Sequence, residues 1–161
     1  MEKTNVMRIL DQKKIKYECF EYPHEEGVCV DGIDVAMLLD QDPNQVFKTL
    51  VTVSNTKRYY VCVVGVAHEL DLKKCAKAFN VKSLEMIPVK ELLNITGYIR
   101  GGCSPIGMKK AFETVIDIDA LEYDNIIFSA GKIGYQVKMN PKDLEKLIRV
   151  KFIDIKKVEL C

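Results

Sequence analysis

The sequence predicts an α+β fold: a single domain with a mixed, mostly antiparallel curved β-sheet and helices packed on it. Three observations lead there. The chain has 161 residues, the size of one domain of ~100–200 residues. Its strand-like segments come in groups with helical segments interspersed, and no regular βαβ alternation appears. No linker, low-complexity tract or internal repeat divides residues 1–161.

The elements follow in order. Thr4 to Lys14 sets Val6, Ile9 and Leu10 on one helical face, with Thr4 as the cap. Tyr17 to Tyr22 reads as a strand, His24 to Gly32 as a loop, and Ile33 to Leu39 as a short helix stopped by the polar cluster Asp40–Asn44. Phe47–Val53 and Arg58–Val66 alternate and are rich in Val, Thr and Tyr, and the polar Ser54–Lys57 between them is a hairpin turn. Asp71 caps a helix to Phe79 that places Leu72, Cys75, Ala76 and Phe79 on one face. Pro88 opens a short helix through Leu93. Thr114–Ile118, Asn125–Ala130 and Tyr135–Met139 are strands, the last two joined by the Gly131–Gly134 turn. Asn140-Pro141-Lys142-Asp143 is a helix start, with Asn as cap and Pro in the first position, and the helix runs to about Val150. Phe152–Ile155 is a last edge strand.

Composition narrows the function. Hydrophobic residues at 48% and charged residues at 29% are an ordinary globular mix. Lys+Arg 24 against Asp+Glu 23 argues against a protein that coats nucleic acid by bulk charge, and no DNA partner is expected. Local basic faces remain: seven basic residues against three acidic between Lys138 and Lys157, the group Lys73, Lys74, Lys77 and Lys82, and Lys109-Lys110. Solvated helix faces account for most such runs, yet patches around one mouth also suit an RNA backbone. No apolar run approaches the ~20 residues of a membrane span, so no membrane partner is expected. The start MEKTNVMRIL is too polar for a secretory leader, so the chain is expected in the cytoplasm. Cys19, Cys29, Cys62, Cys75, Cys103 and Cys161 form no CxxC and read as reduced, mostly buried thiols. With His24 and His68 as the sole histidines, both expected at the surface, neither a metal nor another cofactor is expected.

Two features stand out. Gly97-Tyr98-Ile99-Arg100-Gly101-Gly102-Cys103-Ser104-Pro105-Ile106-Gly107 is a glycine-rich turn without P-loop or GxGxxG spacing. It is either a structural bend or a turn whose free amides meet an oxygen. Lys48, early in its strand and on the Leu50 face, is either an edge-strand lysine that blocks aggregation or a cation for a phosphate or carbonyl. Cys103 lies in the glycine turn but has no evident histidine base, so it reads as packing.

Phe47-Lys48-Thr49-Leu50, Leu70-Asp71-Leu72-Lys73-Lys74, Thr96-Gly97-Tyr98, Gly101–Gly107 with Lys109-Lys110, and Ser129-Ala130-Gly131-Lys132 occur in this order. Together they resemble the YbaK family of bacterial Cys-tRNA(Pro) deacylases, freestanding relatives of the editing domain inserted in bacterial prolyl-tRNA synthetases. The resemblance spans about Val6 to Phe152. It implies the YbaK/prolyl-tRNA synthetase-associated domain fold and the clearance of mischarged Cys-tRNA(Pro), with Cys-tRNA(Cys) as a further substrate. A binding pocket rejects a near-isostere by only ~10–200-fold, which is why a second, hydrolytic site is needed. The implied mechanism is substrate-assisted: the cysteine thiol attacks its own ester carbonyl and leaves as a thiolactone.

The resemblance assigns Lys48, Gly101 and Gly102 to catalysis, and Tyr22, Thr49, Ser104, Pro105, Ser129 and Gln136 to substrate binding. It implies misacylated tRNA(Pro) and prolyl-tRNA synthetase as partners. The chain departs from the family pattern at Gln136, where the familiar bacterial member has an acidic residue, and near Val30 or Asp31, where it has a phenylalanine. Two other readings stay open: a deacylase for a different small amino acid such as alanine on tRNA(Pro), and a non-catalytic module that binds tRNA or the synthetase.

Overall fold

The structure is a computed structural model that describes residues 2–158; Cys161 lies outside them. Helix α1 (Asn5–Gln12) begins where expected because the Thr4 hydroxyl accepts from the Met7 amide at 3.3 Å, and it buries Val6, Met7 and Leu10. After β1 (Glu18–Glu21) and the loop to Asp31 comes α2 (Gly32–Leu38). The hairpin β2 (Phe47–Ser54) and β3 (Tyr59–Gly65) follows, its turn closed with Lys57 at φ 66°. Asp71 caps α3 (Leu72–Ala78), its carboxylate accepting from the Lys73 and Lys74 amides. The chain continues through β4 (Leu84–Met86), α4 (Leu92–Thr96), β5 (Thr114–Ile116), β6 (Ile126–Ser129), β7 (Tyr135–Met139) and β8 (Val150–Phe152).

The strands form two hydrogen-bonded sheets where one curved sheet was expected. Five strands are ordered β4-β2-β3-β5-β8 and three β1-β7-β6. An isolated parallel bridge between Val46 and Ile127 links them. Pairing is antiparallel except for β3–β5 and β5–β8, which are parallel. Strand β3 is buried on both faces, so it reads as a continuous apolar run. Val61 and Val63 join the core formed with α1, Phe128 and Val137, while Tyr60 and Cys62 join a second cluster with Cys75, Ala76, Leu84 and Ile155.

Three differences from the sequence reading have physical causes. The expected helix from Asn140 to Val150 is a 3-10 helix over Pro141–Lys146, with Asn140 still capping it. Val150 already belongs to β8, where pairing with β5 satisfies an otherwise open sheet edge. Strand β4 was missed because three residues carry too little periodicity to register. As expected, most of the cysteines among the described residues are buried: Cys62, Cys75 and Cys103 are, while Cys19 and Cys29 are exposed. His68 is half-buried rather than at the surface, because it packs over Gly65, which has no side chain to exclude it.

Asp117 ties the C-terminal segment to the sheet. It is 1% exposed and accepts from the Ile155 amide at 2.9 Å, the Asp119 amide at 3.1 Å and the Lys156 ammonium at 3.5 Å. Asp117→Ala strands a buried amide and part of a cation's pairing, so it is expected to destabilise by about 2–4 kcal/mol. Urea unfolding checks this: the midpoint should drop with the slope unchanged.

Candidate active site

Two parallel segments create the site. From the Val46–Ile127 bridge each chain runs on two residues in the same direction, which brings Lys48 beside Ser129. Ser129 in turn pairs across β6–β7 with Gln136, and Gln136 pairs with Phe20. A row of polar side chains thus crosses from one sheet to the other, at the place where the two sheets part. A cavity of about 470 Å³ opens there, within the ~300–1,000 Å³ usual for small-molecule sites.

Of the residues singled out in the sequence, Tyr22, Lys48, Thr49, Gly101, Ser129 and Gln136 line this cavity. Gly102, Ser104 and Pro105 do not; all three are buried behind the turn. Lys48 is half-buried and, among the described residues, makes no ion pair. It is not an edge-strand lysine, since β2 lies between β4 and β3. Lys48 pairs with Val64 of β3 on one side, while β4 covers only Thr52–Ser54 on the other, which leaves the Lys48 end of β2 on the cavity wall. The Thr49 hydroxyl is buried without a hydrogen-bond partner among the described residues. A buried hydroxyl left so costs ~1–3 kcal/mol.

The glycine turn contributes one amide, not two. The Gly102 N–H donates to the Ile99 carbonyl at 3.0 Å, closing a turn with Gly101 at φ 86°. That hydrogen bond removes Gly102 as an oxyanion donor; Gly101 lines the cavity, and among the described residues its amide donates no backbone hydrogen bond. Only glycine fits at 102 for a separate reason: a Cβ there would stand 3.1 Å from the Ile133 amide nitrogen. Ser104 serves the same turn, its hydroxyl accepting from the Ile106 amide at 3.3 Å.

Gln136 is 5% exposed, and its carbonyl oxygen accepts from the Gln41 amide at 2.9 Å. The Ser129 hydroxyl accepts from the Gly131 amide at 3.1 Å. Burial pushes the Tyr22 hydroxyl's pKa up, so it stays a neutral donor at physiological pH.

Three lining residues were missed. Arg100 is the one cation inside the glycine turn, Asp31 is the sole carboxylate on the wall, and Cys29 packs against Gly101. Each had a readable signal: a cation flanked by glycines, an N-cap before an apolar run, and a thiol in the adjoining loop. Asp31 does cap α2, accepting from the Ile33 amide at 2.8 Å.

Cys103 also lines the cavity, but burial pushes its thiol up to about 12. At pH 7 it is protonated and a poor nucleophile. Neither His24 nor His68 lines the cavity to serve as its base. Cys103→Ala is therefore expected to keep activity within about twofold of the parent, measured as initial deacylation rate. Among the described residues no helix is long and apolar enough to cross a membrane, and no group of three His, Cys, Asp or Glu side chains could hold a metal ion.

Comparison with known proteins gives the architecture its place. Residues 29–147 match the model of the aminoacyl-tRNA editing domain. The chain is 44% identical over 154 residues, 96% of its length and 93% of the relative's, to EbsC of Enterococcus faecalis, described as a candidate Cys-tRNA(Pro)/Cys-tRNA(Cys) deacylase. Its fold matches a solved structure described as a candidate trans-editing enzyme for prolyl-tRNA synthetase, with TM-score 0.80 and 22% identity over 98% of this chain and all of that one. It also matches the hypothetical protein APE2540, with TM-score 0.81 and 16% identity over 96% of this chain and all of that one. On the family match and the near full-length similarity to EbsC, the chain belongs to the aminoacyl-tRNA editing domain family.

Proposed function

We propose that this chain is a trans-editing deacylase that clears cysteine from mischarged tRNA(Pro), and also from tRNA(Cys), in the cytoplasm. One observation carries the reading. The cavity brings Lys48, Thr49, Gly101 and Gln136 onto one wall, while burial holds the Cys103 thiol neutral. Such a wall offers donors to an ester carbonyl and a phosphate, and its two thiols, Cys29 and Cys103, have no histidine base beside them. The substrate's thiol supplies the missing attack. Its sulfur bonds to the ester carbonyl carbon, the bond from that carbon to the ribose oxygen breaks, and the thiol proton ends on the released tRNA hydroxyl. Orientation within the cavity makes this attack effectively unimolecular.

Lys48 holds the terminal adenosine phosphate, and Thr49 and Gly101 donate to the carbonyl oxygen as negative charge develops on it. Asp31, the one acid on the wall, suits the substrate's α-ammonium. The EbsC relative, described as acting on the same two charged tRNAs, supports the amino-acid assignment. Prolyl-tRNA synthetase is the partner this reading assigns to tRNA selection, in line with the structural neighbour described as a candidate trans-editing enzyme for that synthetase.

The test is a deacylation assay with cysteine, alanine and proline on tRNA(Pro). Cysteine should be lost fastest, and S-methylcysteine, which has no thiol to attack with, should persist. Equal loss of alanine and cysteine would instead mean a size-selecting pocket that uses water. No loss of any amino acid, with tRNA still bound, would make the chain a binding module.

A further inference from the structure

The structure sorts the three basic runs of the sequence by whether their charges are already used. In the C-terminal run, Lys146, Arg149, Lys156 and Lys157 pair with Asp143, Glu113, Asp119 and Glu69 at 3.0, 2.8, 3.1 and 3.2 Å. Lys138, Lys142 and Lys151 of that run border neither the cavity nor the groove described next. Lys109 turns its ammonium to the Asn94 carbonyl, and Lys110 borders neither the cavity nor that groove. Lys74 leaves the second run as well, pairing with Asp154 at 3.1 Å and donating to the Lys156 carbonyl at 2.8 Å.

Lys73, Lys77 and Lys82 remain. They line one groove between α3 and β4, together with the apolar Leu72, Ala76 and Leu84. No carboxylate lines that groove, and among the described residues none of the three ammoniums forms an ion pair. Lys73 and Lys77 stand four residues apart on one helix, a like-charge spacing that costs a few tenths of a kcal/mol unless an anion sits between them. The groove and the cavity share a strand: Leu84 of β4 lines the first and Met86 the second. Two residues of strand span about 7 Å, so one continuous RNA strand can touch both. A floor of apolar side chains rimmed by cations matches a backbone that alternates sugar with phosphate.

We propose that the α3–β4 groove holds backbone phosphates of the acceptor arm of the tRNA whose aminoacylated end occupies the cavity. This rests on the deacylase reading above. It assigns the grip on the RNA body to a surface separate from the residues that face the ester.

The test compares the parent with a Lys73→Glu/Lys77→Glu/Lys82→Glu variant, and with the milder triple alanine variant should the first fold poorly. Each is assayed on cysteinyl-tRNA(Pro) and on the same cysteinyl ester carried by a short 3′-terminal oligonucleotide. On full-length tRNA the variant should lose about tenfold or more in kcat/KM, and the steepness of its salt dependence should fall by about 2–3 for three lost phosphate contacts. On the oligonucleotide it should match the parent. Equal activity on full-length tRNA, or equal losses on both substrates, overturns the groove assignment. Retained tRNA binding with lost binding to prolyl-tRNA synthetase overturns it in favour of a protein partner. Should the parent hydrolyse neither substrate, the deacylase reading fails, and binding of uncharged tRNA still decides the groove: loss in the variant supports it, and unchanged binding refutes it.

Discussion

Lys48→Ala is expected to lower kcat/KM for cysteinyl-tRNA(Pro) by about 100-fold, the scale of losing one preorganised charge or donor at a reacting centre, with the melting temperature nearly unchanged. Both halves follow from the geometry. Lys48 is half-buried on the cavity wall and, among the described residues, has no ion-pair partner. Truncating it therefore strands no buried carboxylate, the usual cause of large losses when a paired charge is removed. What disappears is a cation with only a ligand to serve. Lys48→Arg keeps the charge but changes the shape of the donor, so partial recovery should appear mainly in KM. Activity of Lys48→Ala equal to the parent would remove Lys48 from the site.

Gly101→Ala is expected to be the most damaging change in the glycine turn, with a 10–100-fold loss of activity corresponding to about 1.4–2.7 kcal/mol. Two costs act together. At φ 86° any Cβ is strained by roughly 1–2 kcal/mol. The added carbon would also stand 2.8 Å from the Cys29 sulfur and 3.2 Å from its Cβ, inside contact distance. Either the turn withdraws its amide from the cavity or the adjoining loop moves off the cavity wall. Adding Cys29→Ala to Gly101→Ala removes the sulfur clash but not the backbone strain, so the pair should recover only part of the loss. Kinetics on the single and double variants, with thermal melts, measure both terms. Full activity in Gly101→Ala would mean that the turn amide faces no reacting atom.

The ease of reading each element tracked how local its causes are. Helix α1, the β2–β3 hairpin and α3 announce themselves through caps, turn residues and periodicity, interactions that close within a few residues. The C-terminal segment misled because Asn140 and Pro141 are genuine start signals, but they compete with an open edge on β5, and that edge is distant in sequence. Parallel pairing of β3, β5 and β8 has no local signature at all.

The site divides in the same way. Lys48 and the glycine turn stood out as residue types in unusual settings, and the ordered motifs around them pointed to a family. The sequence alone settled which chemical groups exist: one lysine in an apolar strand, one bend of glycines, and cysteines without an evident histidine base. Only the tertiary structure decided which of those groups share a cavity, that Gly102 spends its amide on Ile99, and that Lys74 is paired while Lys73 and Lys77 form no ion pair among the described residues. The physical reason is that availability is a property of neighbours. An amide or an ammonium is the same group in any sequence, and it becomes a tool only where the fold leaves it without a partner.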